Sequence, residues 1–288
     1  MRWWIYQKER FPVLANGLLV AAFSSCAILY SSFLSKGPLP GGTMFLVAFI
    51  TCFIFFLQLR IADEFKDAEE DARYRPYRAV PRGLVSLREL GTVFVIGALL
   101  QLSLAFFLAP SLVFILLIAW TYLALMSVEF FHRDWLKARP ITYLWTHMLI
   151  MPIVDFFATA AYWLPQHGLA PAGLVWFLGA SFANGLVIEI GRKIRAPEDE
   201  EEGVPTYSKL WGRNRASHVW IGCIFATLAF AIAAAFAINT AFPTAVLLGC
   251  LAFVFVFLAQ RYQKHEIASG LWTLTLYLTL GILPLFVR

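Results

Sequence analysis

The chain has 288 residues, of which 60% are hydrophobic and only 14% are charged, whereas soluble domains carry roughly 25% charged residues. This composition excludes an ordinary soluble domain and indicates an integral membrane protein. The net charge of +5 does not point to a nucleic-acid partner, because basic residues in a membrane protein are first explained by its topology.

Windows of about 18 or more mainly apolar residues predict membrane-spanning helices. The N-terminus, MRWWIYQKERF, is basic and aromatic, and we expect it to lie at the membrane interface before the first span. Nine spans follow in chain order, at residues 13–34, 42–59, 87–108, 111–128, 141–163, 172–190, 216–238, 243–259 and 268–287.

The distribution of basic residues predicts the orientation of these spans. The N-terminus and the loops after spans two, four, six and eight hold 21 of the 23 Lys and Arg residues, and only Lys36 and Arg288 fall on the other side. The positive-inside rule therefore predicts a cytoplasmic N-terminus. The chain carries no evident transit peptide, so we expect a multi-pass protein of the cell inner (plasma) membrane.

The loop after the second span contains a stripe of carboxylates. Asp63, Asp67 and Asp71 recur every four residues, so they share one face if the segment is helical, and Glu64 and Glu70 flank them. Carboxylates four residues apart repel one another. A hard divalent cation would neutralise them, and Mg²⁺ usually binds through one or two carboxylates together with substrate phosphate oxygens.

The same loop continues with arginines at positions 75, 78 and 82. Because guanidinium groups bind phosphate in a bidentate way, carboxylates for a metal followed by Arg75, Arg78 and Arg82 make a diphosphate site plausible. A solvated loop in which acids and bases pair with each other is an equally good interpretation of these residues alone.

A second charged loop, between the sixth and seventh predicted spans, resembles the first in composition. It contains basic residues, an acidic run at 198–202 and then Gly203. The two loops could be a weak internal repeat, as in membrane folds with internal duplication. The alternative is a solvated helix start after Pro197, where acids suit the positive end of the helix dipole.

Asp155 is the one acid predicted to lie well within a span, and such a residue is a functional hypothesis by default. His147 and Met151 share its helix face, and Asn184 lies in the next span, so Asp155, His147 and Asn184 are candidates for binding an acceptor substrate or removing its proton. A buried hydrogen-bonded pair that fixes helix packing remains the alternative.

Taken together, the two loops resemble those of the UbiA superfamily of intramembrane prenyltransferases. The first family motif is matched by Asp63, Glu64, Asp67, Asp71, Arg75, Pro76, Arg78, Pro81 and Gly83. The second motif, an Asp-x-x-x-Asp followed by Gly, Thr and Gly, is matched by Asp199, Gly203, Thr206 and Gly212, but its first Asp is replaced by Arg195.

The resemblance implies one domain over residues 1–288: a bundle of nine transmembrane helices around a central cavity that opens to the cytoplasmic side. It implies an alkyl-transferring enzyme that moves an isoprenyl group from its diphosphate to a lipophilic or aromatic acceptor. Expected partners are the donor, the acceptor and the lipid bilayer, with no nucleic acid. The implied catalytic residues are Asp63, Asp67, Asp71 and Asp199, and the implied Mg²⁺ ligands are these four with Glu64.

The cationic groups expected to bind the diphosphate are Arg75, Arg78, Arg82, Lys193 and Arg195. Ionisation of an allylic diphosphate places negative charge on the leaving group, which metal ions and arginines stabilise. Two rival functions remain open at this stage. One is a terpene cyclase of the same fold, in which the donor's own double bonds capture the carbocation. The other is a carrier or ion-binding membrane protein without catalysis.

Overall fold

The computed structural model describes residues 1–287, and Arg288 lies outside the described residues. About 80% of the chain is helical, and the described residues form no strand. The helices are α1 (Arg2–Arg10), α2 (Val13–Leu34), α3 (Gly42–Lys66), α4 (Ala68–Tyr74), α5 (Leu87–Leu108), α6 (Leu112–Ser127), α7 (Arg133–Lys137), α8 (Pro140–Met148), α9 (Ile150–His167), α10 (Leu174–Arg192), α11 (Tyr207–Trp211), α12 (Arg213–Ala237), α13 (Ala241–Tyr262), α14 (His265–Gly281) and α15 (Pro284–Val287). Short 3-10 turns occupy Glu129–Phe131 and Pro197–Asp199.

Within the described residues, eight helical segments are long and apolar enough to cross a membrane. They correspond to eight of the nine predicted spans. The predicted span 111–128 is α6, a helix of 16 residues, which is about 24 Å long and shorter than the roughly 30 Å of a bilayer's hydrocarbon core. The prediction of an all-helical, multi-pass membrane protein is confirmed.

The boundary that matters most for the site is that of the second predicted span. The sequence predicts its end near residue 59, but α3 continues to Lys66 and carries Arg60 and Asp63 on the same helix as the apolar span. Arg60 and Asp63 therefore lie on the last turns of a membrane helix. We refer to the end of the bundle at which α3 ends, at Lys66, as the charged end of the bundle.

The outer surface of the bundle is apolar, as expected for a surface that faces lipid. Large side chains such as Leu99, Phe106, Phe114 and Phe253 are exposed along α5, α6 and α13. Inside, α2 packs against α3, α9 and α14. The ring of Tyr30 on α2 stacks on Phe177 of α10.

A close approach of three helices in the core depends on a glycine of α10. A Cβ atom added at Gly191 would lie 2.0 Å from Ser269 Oγ of α14 and 3.0 Å from Trp220 Nε1 of α12. Trp220 Nε1 donates a hydrogen bond of 2.9 Å to the same Ser269 hydroxyl. Small residues at such crossings let helix backbones approach closely.

We expect Gly191→Ala to destabilise the protein, because the added methyl group must displace Ser269 and Trp220. Overpacking of this kind costs about 1–3 kcal/mol. Thermal unfolding of the purified protein in detergent measures the effect. Gly222→Ala on α12 is the control, since nothing lies within 4 Å of its added Cβ, and it should leave stability unchanged or slightly higher. Equal melting temperatures for the two variants would contradict the prediction.

Candidate active site

A cavity of about 1250 Å³ occupies the charged end of the bundle. Residues from α3, α4, α8, α9 and α10 line it, together with the loop that follows α10. Its walls carry eleven Lys and Arg side chains and seven Asp and Glu side chains. This net positive charge favours a bound anion.

Asp63 and Asp67 belong to the acidic part of the cavity wall. The nearest cations to Asp63 are Arg60 at 3.6 Å and Lys66 at 3.7 Å, which are longer than direct hydrogen bonds. Burial, with the neighbouring carboxylates of Asp63 and Asp71, raises the pKa of Asp67 despite the charge of Lys66. Both carboxylates are therefore weakly neutralised by the protein.

The stripe of three aspartates does not remain on one straight helix. Asp67 lies between α3 and α4 with φ −96° and ψ 7°, and beyond it the side chain of Asp71 turns into the protein. Asp71 is 1% exposed and forms ion pairs with Arg75 at 2.6 Å and Arg78 at 2.7 Å. Asp71 therefore positions two cavity-lining arginines.

Glu64 is also paired internally. It is 2% exposed, and its carboxylate accepts a hydrogen bond from Arg10 at the end of α1. The N-terminal helix makes further ion pairs with this region, Glu9 with Arg82 and Arg2 with Glu89. Arg82 is thus directed to α1 and lies outside the cavity lining.

The second predicted motif forms another part of the wall, at the end of α10. Glu189 is 5% exposed and binds Arg192 at 2.5 Å and Lys193 at 2.9 Å. Arg195 lines the cavity and forms an ion pair of 2.9 Å with Glu201. Asp199 is exposed and does not line the cavity within the described part of the chain.

The two charged loops contact each other. Tyr77 of the first loop donates a hydrogen bond of 2.7 Å to Glu201 of the second. Gly203, with φ +71°, lies so close to Tyr74 that a Cβ atom there would be 2.5 Å from the ring. A glycine is required here both by the left-handed backbone and by the close approach.

Glu129, Tyr143, His147 and Lys66 form a polar cluster in the cavity wall. Glu129 accepts a hydrogen bond from Tyr143 Oη at 3.0 Å, and its other oxygen lies 3.1 Å from His147 Nε2. Lys66 Nζ donates to Tyr143 Oη at 3.2 Å. The sequence identifies Glu129 only as an acid at the end of a span, and does not predict that it is buried.

The backbone that carries Glu129 is strained. Residues 129, 130 and 131 all have left-handed φ values, between 50° and 62°, and none is glycine. Each such residue costs on the order of 1–3 kcal/mol, and strain of this kind concentrates at functional sites. The strained turn directs the carboxylate of Glu129 into the protein.

The three residues predicted to bind an acceptor are not in one place. His147 lines the cavity, whereas Asp155 and Asn184 are fully buried and do not line it in the described residues. Asp155 accepts a hydrogen bond of 2.6 Å from Tyr277, and Asn184 accepts one of 3.2 Å from Thr273. Both contacts connect α9 and α10 to α14.

The structure therefore brings together some of the predicted site residues and separates others. Those that line the cavity are Asp63, Asp67, Arg75, Arg78, His147, Lys193 and Arg195. Those that do not are Glu64, Asp71, Arg82, Asp155, Asn184 and Asp199. The described residues contain no group of three or more His, Cys, Asp and Glu side chains placed to hold a metal ion together. Glu64 and Asp71 are directed to arginines instead.

Residues 18–283 match the UbiA prenyltransferase family, and the chain belongs to that family. The structure is similar to the apo structure of a UbiA homolog from Aeropyrum pernix K1, with a TM-score of 0.70, 15% identity, and coverage of 93% of this chain and 97% of that one. A structure described as digeranylgeranylglyceryl phosphate synthase in membranes is also similar, with a TM-score of 0.58, 16% identity, and coverage of 96% and 97%. No curated protein sequence matches the chain.

We expect Arg10→Ala to destabilise the protein strongly, because it leaves the buried Glu64 carboxylate without its partner. Removing one member of a buried ion pair costs about 3–5 kcal/mol. The matched control is Arg2→Ala on the same helix, whose pair with Glu89 is exposed and contributes about 1 kcal/mol or less. Denaturant titration in detergent compares the two. An Arg10 variant no less stable than the Arg2 variant would contradict this account.

We expect Asp67→Asn to stabilise the protein at neutral pH in the absence of divalent cations. Because the pKa of the Asp67 carboxyl is raised in the folded protein, folding favours its protonated form. The stability that this protonated form contributes is lost as the pH rises through the pKa of the folded state. The asparagine removes that penalty, and its advantage should shrink as the pH is lowered and Asp67 becomes protonated. Melting temperatures measured against pH in a chelator provide the check, and an advantage that grows on acidification would have the wrong sign.

Proposed function

We propose that this protein is an intramembrane prenyltransferase, with one domain over residues 1–288. It would transfer an isoprenyl group from its diphosphate to a lipophilic or aromatic acceptor, with Mg²⁺ assistance. The observation that carries the proposal is the cavity itself, where two weakly neutralised aspartates and a larger number of cations lie together at the end of an apolar helical bundle. The charge distribution in the sequence supports a cytoplasmic N-terminus in the cell inner membrane.

Asp63 and Asp67 fit a divalent cation. They are oxygen donors on one part of the wall and lie four residues apart at the end of α3. Arg60 and Lys66 lie 3.6 Å and 3.7 Å from Asp63, and within the described residues Asp67 forms no ion pair. Mg²⁺ usually binds through one or two carboxylates together with phosphate oxygens. A bound Mg²⁺ would supply positive charge beside the leaving oxygen. Glu64 and Asp71 would support this site by holding Arg10, Arg75 and Arg78.

The side-chain cations would bind the diphosphate. Arg75 and Arg78 are fixed by Asp71, and Lys193 by Glu189, so these groups are positioned before the donor arrives. When the carbon to oxygen bond of the donor breaks, its electron pair stays on the diphosphate. Fixed cations near the leaving oxygen stabilise that charge without reorganisation.

The apolar part of the cavity lining suits the isoprenyl chain. Apolar side chains from α3, α6, α8, α9 and α10 line it: Phe56, Leu59, Met126, Met148, Ile150, Met151 and Ile188. Such a lining keeps water away from the allylic carbocation. His147, Glu129 and Tyr143 lie in the same wall, and we assign them to the acceptor side, where a polar group of the acceptor would bind. Asp155 and Asn184 would support this wall from behind through their contacts with α14.

The test is diphosphate release from geranyl, farnesyl and geranylgeranyl diphosphates by the protein in lipid nanodiscs, with and without a membrane lipid extract as acceptor source. We expect release that requires Mg²⁺ and falls at least about a hundredfold in Asp63→Asn and Asp67→Asn, the scale set by loss of an electrostatic catalytic group. Asp134→Asn is the control, because Asp134 is exposed and lies outside the cavity.

The products decide between the functions. A prenylated acceptor supports the transferase. Release with donor alone, yielding a cyclic hydrocarbon, would replace the transferase by a cyclase. No release from any donor, with or without the extract, would contradict both.

A further inference from the structure

Carboxylates and side-chain cations are unevenly distributed around the cavity. The wall formed by α3 and α4 offers four carboxylates, Asp63, Asp67, Glu69 and Glu70. Within the described residues, only Glu70 among them forms direct hydrogen bonds with cations. The wall formed by the end of α10 offers three cations, Arg192, Lys193 and Arg195. Its one cavity-lining carboxylate, Glu189, is already bound by two of these cations. This second wall is therefore positively charged, and it has no free carboxylate among its cavity-lining residues to bind a metal cation.

The position of Arg195 is central to this asymmetry. The second family motif has an aspartate here, whereas this chain has a guanidinium that lines the cavity. The remaining aspartate of the motif, Asp199, is exposed and lies outside the described cavity lining. Its backbone carbonyl accepts a hydrogen bond of 3.3 Å from Arg195. The two motif positions thus cannot form a pair of carboxylates.

Arg195 already binds an anion in this structure. Its Nη1 lies 2.9 Å from the carboxylate of Glu201, and Tyr77 donates to the other oxygen of the same group at 2.7 Å. Glu201 belongs to the same chain, on the loop whose residues 203–206 line the cavity. It occupies a position that a phosphate oxygen of a substrate could take, since both are oxygen anions that pair with a guanidinium.

We propose that Arg195, with Lys193 beside it, replaces a second metal ion, so that the protein binds its diphosphate with one divalent cation at Asp63 and Asp67 and with side-chain cations on the other wall. This inference rests on the proposed function and specifies how that site holds its substrate. Glu201 would keep Arg195 in place until the diphosphate exchanges with it. Arg195 is thereby a substrate-binding residue.

The test counts metal ions instead of measuring turnover. The probe is Mn²⁺ with saturating inorganic pyrophosphate, bound to the full chain in nanodiscs and separated from free ligand by gel filtration. We expect electron paramagnetic resonance to detect one Mn²⁺ per chain, without coupling between two ions. Arg195→Asp, which restores the family residue, should bind a second Mn²⁺ and show that coupling. Arg195→Gln should still bind one Mn²⁺ but bind pyrophosphate about tenfold more weakly, as expected for the loss of a charged hydrogen bond.

Arg215→Asp is the matched control, because it makes the same charge change on an exposed residue outside the cavity. It should bind one Mn²⁺ with unchanged pyrophosphate affinity. Two Mn²⁺ ions in the wild-type protein would overturn this inference and leave the proposed function intact. Binding of no Mn²⁺ would contradict the metal site of the proposed function as well. The wild-type count is decisive even if Arg195→Asp does not fold.

Discussion

Charge neutralisation at one end of an apolar helical bundle is the constraint on which the rest of this structure depends. A charge removed from water is costly unless a partner compensates it. The buried carboxylates of Glu64, Asp71 and Glu189 each have such a partner, in Arg10, in Arg75 with Arg78, and in Arg192 with Lys193. The Glu64–Arg10 pair joins α3 to α1, whereas Asp71 and Glu189 pair with cations three to seven residues further along the chain.

The same pairing determines which charges remain available for chemistry. Asp63 and Asp67 lie in the cavity wall with cations no closer than 3.6 Å to Asp63, and Arg195 is held by the Glu201 carboxylate and the Asp199 carbonyl of the second charged loop. These are the groups that a ligand can engage without leaving a buried charge unpaired. The site is therefore defined by the charged residues that lack a close partner of opposite charge, and not by the number of charged residues in the loops.

Some of the residues that the sequence suggests for a site line the cavity, and others are directed elsewhere. The four-residue period of the aspartates placed Asp63 and Asp67 at a common site, because that spacing depends only on local helix geometry. It also included Glu64 and Asp71, whose side chains are directed to arginines. The partner of Glu64 is 54 residues away in the chain, so no local pattern could indicate it. The burial of Glu129 depends on a strained turn whose sequence, Glu-Phe-Phe, carries no glycine or asparagine to signal it.

The sequence by itself determined the membrane class, the helices, the positions of the charged loops and the family. These properties follow from hydrophobicity summed over windows of one span and from residue spacing within one loop, so they need no knowledge of the neighbours. Only the tertiary structure decided that Asp155 and Asn184 form hydrogen bonds with α14 and do not line the cavity. It also decided that Arg82 is directed to α1. In the second charged loop, it decided that Arg195 lines the cavity while Asp199 lies outside it. The reason is physical: the role of a charged or polar side chain is set by the partner it meets across helices, and that partner is fixed by packing between distant parts of the chain.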